Sequence, residues 1–79
     1  MGDFVNEKYL EKYKNLGLNI CFYRRRKDYT QMEFAEIIDV NTTHISRIEL
    51  GKGAASLDVL FRIAEVLEVP IQKLFDVKD

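Results

Sequence analysis

The chain has 79 residues, 47% of them apolar, and sets 12 Lys and Arg against 13 Asp and Glu for a formal net charge of −1. That length holds a single domain, since domains typically run to about 100–150 residues, and the apolar share is enough for a core and too high for a disordered chain. The longest apolar run is Ile20–Tyr23, four residues, which leaves no membrane span and no signal-peptide core; a lone Cys21 excludes an internal disulfide framework and fits a reducing compartment. The charge argues mildly against a life on nucleic acid.

In chain order, Tyr9, Tyr13, Leu16, Ile20 and Tyr23 recur at three and four residues and predict a first helix. Arg24-Arg25-Arg26-Lys27 come next, a basic knot where cations suit the carboxyl end of a helix dipole. Met32, Phe34, Ala35, Ile37 and Ile38 mark a short second helix, and Thr30-Gln31-Met32-Glu33 reads as its capping box. Asn41 caps a third helix anchored by Ile45 and Ile48, which Gly51 and Gly53 end. Ser56 caps a fourth, carried by Leu57, Leu60, Phe61, Ala64 and Leu67. Pro70 opens a fifth, with Ile71, Leu74 and Phe75. No stretch alternates with period two, so the fold class is all-α.

Residues 31–50 carry the grammar of a helix-turn-helix: Phe34 and the small Ala35 let a second helix approach, Ile38 and Val40 bracket a turn at Asp39, and Ile45 and Ile48 anchor the helix after the turn. With those two isoleucines inward, Thr42, Thr43, His44 and Arg47 form the outward face near the start of the third helix. Such a helix inserts into the DNA major groove; Arg47 suits guanine, and Thr42 or Thr43 offers a hydroxyl to a base or a methyl to thymine. The plain alternatives are a surface ion pair for Arg47 and a phosphate or water contact for His44.

Leu16-Gly17, Ile20, Arg24, Thr30-Gln31, Phe34-Ala35, Val40, Ile45-Ser46-Arg47-Ile48-Glu49 and Gly51-Lys52, continuing through Ser56-Leu57, Leu60, Ile63-Ala64, Leu67, Val69, Leu74 and Phe75, stand in the order and spacing of the phage repressor/Cro type of helix-turn-helix domain. The chain resembles that family without a gap over residues 16–75. The resemblance implies a compact five-helix, usually dimeric DNA-binding unit of transcriptional repressors over 16–76, with helices 2 and 3 as the helix-turn-helix, an amino-terminal extension over 1–15 and a tail over 77–79. It implies base reading by Thr42, Thr43 and Arg47, with His44 beside them. Gln31 matches a phosphate-contacting position, and Asn41, Ser46 and Lys52 are further phosphate candidates; each serves equally as a cap or solvated side chain. Arg24 and Glu49 match a structural ion pair between the first and third helices, which leaves Arg25, Arg26 and Lys27 for nonspecific phosphate attraction.

The sequence departs from the family pattern at several helix ends. Asp28, Asp39 and Glu68 stand where the family has glycines; a left-handed cap suits Asp better than Glu, so a different exit is expected at Glu68. Ala55 replaces a common proline, which points to a looser loop over 53–55. Leu18 and Phe22, four residues apart and off the Ile20 face, form an apolar patch that either the extension (Phe4, Val5) or another subunit covers, the extension being preferred. Cys21 is expected to be a packing thiol.

The expectation is therefore a regulator that binds a palindromic operator as a homodimer, a repressor or autoregulator, cytoplasmic and nucleoid-associated, of prokaryotic or phage origin. Its partner is double-stranded DNA, with no membrane, metal, cofactor or catalytic site. With the chain ending after the fifth helix, no ligand-sensing domain is expected. The rival is a protein-interaction module, antitoxin-like or a regulatory partner, that keeps the fold with little DNA binding; near-zero charge and the Leu18/Phe22 patch favour it.

Overall fold

The computed structural model describes residues 4–77. A short 3-10 turn, Glu7–Tyr9, runs into four α-helices: α1 (Leu10–Arg26), α2 (Gln31–Ile38), α3 (Thr42–Glu49) and α4 (Leu57–Leu67). No strand occurs among the described residues. The expected fifth α-helix is instead a 3-10 helix, Ile71–Phe75, opened by Pro70, whose carbonyl accepts from the Lys73 amide at 2.9 Å. Five residues are too few to propagate an α-helix against its nucleation cost, so the tighter form is used.

The amino-terminal caps form as their residue types dictate. Thr30 Oγ1 accepts from the Glu33 amide at 3.0 Å while Glu33 Oε1 accepts from the Thr30 amide at 2.9 Å. Asn41 Oδ1 accepts from the His44 amide at 2.8 Å, and Ser56 Oγ from the Val59 amide at 3.2 Å.

Each of the four α-helices leaves through the same device. Asp28, Asp39, Gly51 and Glu68 all have φ between 59° and 77°. The amide of the next residue reaches five residues back: Tyr29 to the Arg24 carbonyl, Val40 to Ala35, Lys52 to Arg47 and Val69 to Ala64, at 2.8–3.3 Å. This is the Schellman arrangement. Glu68 therefore does not give α4 a different exit; the hydrogen bond from Val69 outweighs its steric cost. Of these four positions only Gly51 has a packing reason to lack a side chain, because a Cβ there would lie 2.7–3.0 Å from Lys14 atoms of α1.

The core lies where α1, α2, α3 and α4 meet, with Ile20, Phe34, Ile38, Ile45, Ile63 and Leu74 fully buried. Ile45 and Ile48 point inward as expected. Other apolar residues do not: Met32, Ile37, Leu57, Phe61 and Phe75 are exposed, and Val59 and Ile63 take the inward places on α4. Gly17 lets α1 cross the end of α3, since a Cβ there would sit 2.4 Å from the Ile48 carbonyl oxygen and 2.5 Å from that of Glu49. Buried Asn19 donates through Nδ2 to the carbonyls of Leu74 (2.9 Å) and Asp76 (2.7 Å), and Asn15 Nδ2 donates to Asp76 at 3.0 Å, so α1 holds the carboxyl-terminal turn.

From Phe4 on, the extension does not cover Leu18 and Phe22. Phe4 is itself 73% exposed, and the two patch residues remain 65% and 43% exposed. Nor is the 53–55 loop loose: the Lys52 and Gly53 amides both donate to the Arg47 carbonyl, at 2.8 and 3.1 Å, and Ala55 packs against the core.

Candidate nucleic-acid interface

Helix α3 stands on Ile45 and Ile48 and shows its other side to solvent. Its first turn carries Thr42 and Thr43, both exposed, with half-buried His44 behind them. The amides at the start of α3 point along the helix axis past that turn, one of them taken by the Asn41 cap, so the hydroxyls of Thr42 and Thr43 stand at the positive end of a helix dipole. Ser46 and Arg47 are half-buried farther along, and Lys52 is exposed just after the helix.

Arg47 does not extend towards the first turn. Its Nη2 donates to the Lys52 carbonyl at 2.9 Å, which folds the guanidinium along the carboxyl end of α3. Spacing along the helix places Arg47 on the outward face, but only the loop geometry after Gly51 shows where its head rests.

The orientation of α3 is fixed by a polar junction. Arg24 Nε and Nη2 donate to Glu49 Oε2 and Oε1 at 2.7 and 3.0 Å, with both side chains buried. Arg24 Nη1 donates to the Tyr29 carbonyl at 2.7 Å, and Nη2 also lies 3.6 Å from Cys21 Sγ. The Glu49 hydrogen bond is the largest influence on Arg24 and holds it protonated beyond its ordinary range, against burial, which acts the other way. The expected ion pair is thus present, and Cys21 is a half-buried packing thiol against it.

Gln31 belongs to the same junction. Its Nε2 donates to Glu49 Oε1 at 2.9 Å, so the residue that opens α2 is tied to the end of α3. Its place in the sequence suggests a phosphate donor, a cap or a solvated side chain, and not this carboxylate. Nor does the sequence single out Arg62, whose Nη1 donates to the Ile38 carbonyl and ties α4 to the end of α2. An arginine's five donors and long stem leave its acceptor unspecified until the fold is known.

The basic knot is divided by this packing. Arg24 turns inward, Lys27 pairs with Glu68, Arg26 lies 5.6 Å from the Phe22 ring centre, and Arg25 is exposed. Among the described residues no group of His, Cys, Asp and Glu is arranged to hold a metal ion, and no helix is long and apolar enough to cross a membrane.

Residues 22–74 match the family model described as helix-turn-helix. The chain is 33% identical over 54 residues to a Pyrococcus furiosus protein described as an HTH-type transcriptional regulatory protein; the match covers 68% of this chain and 17% of that protein's length. Among solved structures it is similar to SinR of Bacillus subtilis, the master regulator for biofilm formation, in complex with DNA (32% identity, TM-score 0.71, 77% of this chain and 98% of that one). The fold also resembles the restriction-modification controller protein C.AhdI of Aeromonas hydrophila (20% identity, TM-score 0.78, 82% and 98%).

Proposed function

The chain belongs to the helix-turn-helix family of DNA-binding transcription regulators, not to a family of enzymes, and from that premise we propose that it reads a specific, roughly palindromic operator as a homodimer. The observation that carries the reading is the exposed first turn of α3 on a fully buried base, locked in angle by Arg24 and Glu49. A reading helix must present side chains at base edges without rotating under load, and that junction supplies the rigidity.

In this reading Thr42 and Thr43 meet base edges first, with His44 beside them. Arg47 joins by releasing the Lys52 carbonyl and turning its guanidinium to a guanine edge, where two donors meet two acceptors. Gln31 keeps one amide hydrogen on Glu49 and offers the other to a phosphate at the start of α2; Asn41, Ser46 and Lys52 complete the backbone contacts. Two such units place their reading helices about 34 Å apart on one face of the duplex. A promoter site occupied in this way is blocked, so the protein acts as a repressor or autoregulator.

Duplex from the chain's own upstream region, competed against a scrambled duplex at two salt concentrations, tests this reading. Preference for the upstream duplex that persists at the higher salt is expected. Equal binding of both at low salt would remove operator reading and leave the alternative, a regulatory partner of other proteins. The exposed Leu18 and Phe22 favour that alternative, and the similar SinR has also been solved as a SinR/SinI complex.

A further inference from the structure

Two helix faces carry exposed apolar pairs four residues apart: Leu18 with Phe22 on α1, and Leu57 with Phe61 on α4. Their charges separate them. On α4 the exposed charged neighbours are Asp58, Arg62 and Glu65, and Arg62 is drawn aside to the Ile38 carbonyl, so two copies meeting there would set Asp58 and Glu65 against carboxylates. On α1, at about 100° of rotation per residue, Glu11, Leu18, Phe22 and Arg25 share one narrow arc. Glu11 and Arg25, both exposed, lie seven residues on either side of Leu18. A second copy of the helix laid antiparallel and centred on Leu18 brings each Glu11 against the other copy's Arg25, twice by symmetry.

The same register sets Phe22 of the second copy opposite Lys14, and the surface has a recess at that point. A groove of about 600 Å³ is lined there by Glu11, Lys14, Asn15, Leu18, Phe75 and Val77. Its far wall is the carboxyl-terminal turn that Asn15 and Asn19 hold against α1, so the groove is a fixed feature of the fold. The described part of the amino-terminal extension, the alternative occupant, leaves the face open, with Phe4 73% exposed.

We propose that two copies of this chain associate through the α1 face, antiparallel about Leu18, with each Phe22 seated in the other copy's groove and reciprocal Glu11–Arg25 pairs at both ends. Residue i meets j and j meets i, so the contact closes as a two-fold dimer and does not propagate. The face lies roughly 80–140° around α1 from Gly17, the point of contact with the end of α3, so association leaves the first turn of α3 open. The inference rests on the proposed operator-binding homodimer and names its surface.

Sedimentation equilibrium of the full chain without DNA tests it. A dimer is expected, weakened about tenfold by Glu11→Arg or by Arg25→Glu alone, and restored to within about threefold of the parent when both reversals are combined. Both positions are exposed, so the variants keep the fold. A chain that stays monomeric, a dimer indifferent to the single reversals, or one dissolved by Phe61→Ser but not by the reversals would each overturn the proposal. Dimerisation of this kind without operator preference would sink the DNA reading alone, and operator preference with no effect of the reversals would sink this surface alone.

Discussion

Glu49 grips Arg24 through both carboxylate oxygens, at 2.7 and 3.0 Å, at the point where α1 crosses the end of α3. Gln31 from α2 shares one of those oxygens, so a single carboxylate joins three helices.

Removing one partner leaves the other charged and buried. Glu49→Ala is expected to cost about 3–5 kcal/mol of unfolding free energy in urea titration, whereas Arg24→Met combined with Glu49→Leu should cost clearly less than the two single changes summed. Strict additivity would show that the pair is not coupled.

Gly17→Ala places a methyl where the carbonyl oxygens of Ile48 and Glu49 already stand, at 2.4 and 2.5 Å. Alanine favours a helix interior by about 1 kcal/mol, but backbone on both sides cannot yield as a flexible side chain would. A lower melting temperature is expected, with operator affinity falling too because α3 is displaced. A rise in melting temperature would contradict the close approach.

Asp39 and Glu68 adopt a backbone conformation that costs an L-residue roughly 1–2 kcal/mol, less for Asp than for Glu. Asp39→Gly and Glu68→Gly should therefore raise thermal stability. Glu68→Gly forfeits the exposed bridge to Lys27, whose typical worth is small. That bridge, through the Lys27 hydrogen bond, holds the Glu68 carboxyl below its ordinary pKa. A depressed carboxyl stabilises the fold above its unfolded pKa and loses that contribution as pH falls through the folded value. The Glu68→Gly gain should thus be larger at pH 3 than at pH 7, which thermal melts at the two values check.

Arg47→Ala is expected to flatten base preference across a panel of operator variants, by about 1–3 kcal/mol at the position it reads. Lys52→Ala should weaken every duplex alike and reduce the salt slope by about one. Identical profiles for the two variants would refute the division between reading and anchoring.

Much of this molecule was legible because its punctuation is local. Thr30 with Glu33, Asn41 and Ser56 announce helix starts through contacts only three residues away, and Ile45 with Ile48 fix which side of α3 faces out. Contacts distant in sequence were not legible. Asn15 and Asn19 reach carbonyls 55–61 residues away, and nothing in their neighbourhood announces it. On α4, Leu57-Phe61 and Val59-Ile63 are both correctly spaced stripes, and only packing against α2, α1 and the 3-10 helix Ile71–Phe75 decides which is buried. At the candidate site the exposure of Thr42 and Thr43 was readable from spacing, but the half-burial of His44 and Arg47 was not, and the resting place of Arg47 and the link from Gln31 to Glu49 depend on how loops bring carbonyl and carboxylate within reach.

The left-handed helix ends have an electrostatic consequence far from the turns themselves. Asp28, Asp39 and Glu68 occupy three of the four, and together they exceed the chain's whole negative excess: glycine at all three would turn −1 into +2. The sign of the field a polyanion meets at long range is thus set at three turns, not on the face of α3. A cationic triple variant, with Thr42, Thr43 and Arg47 untouched, would separate bulk attraction to a duplex from recognition of its bases.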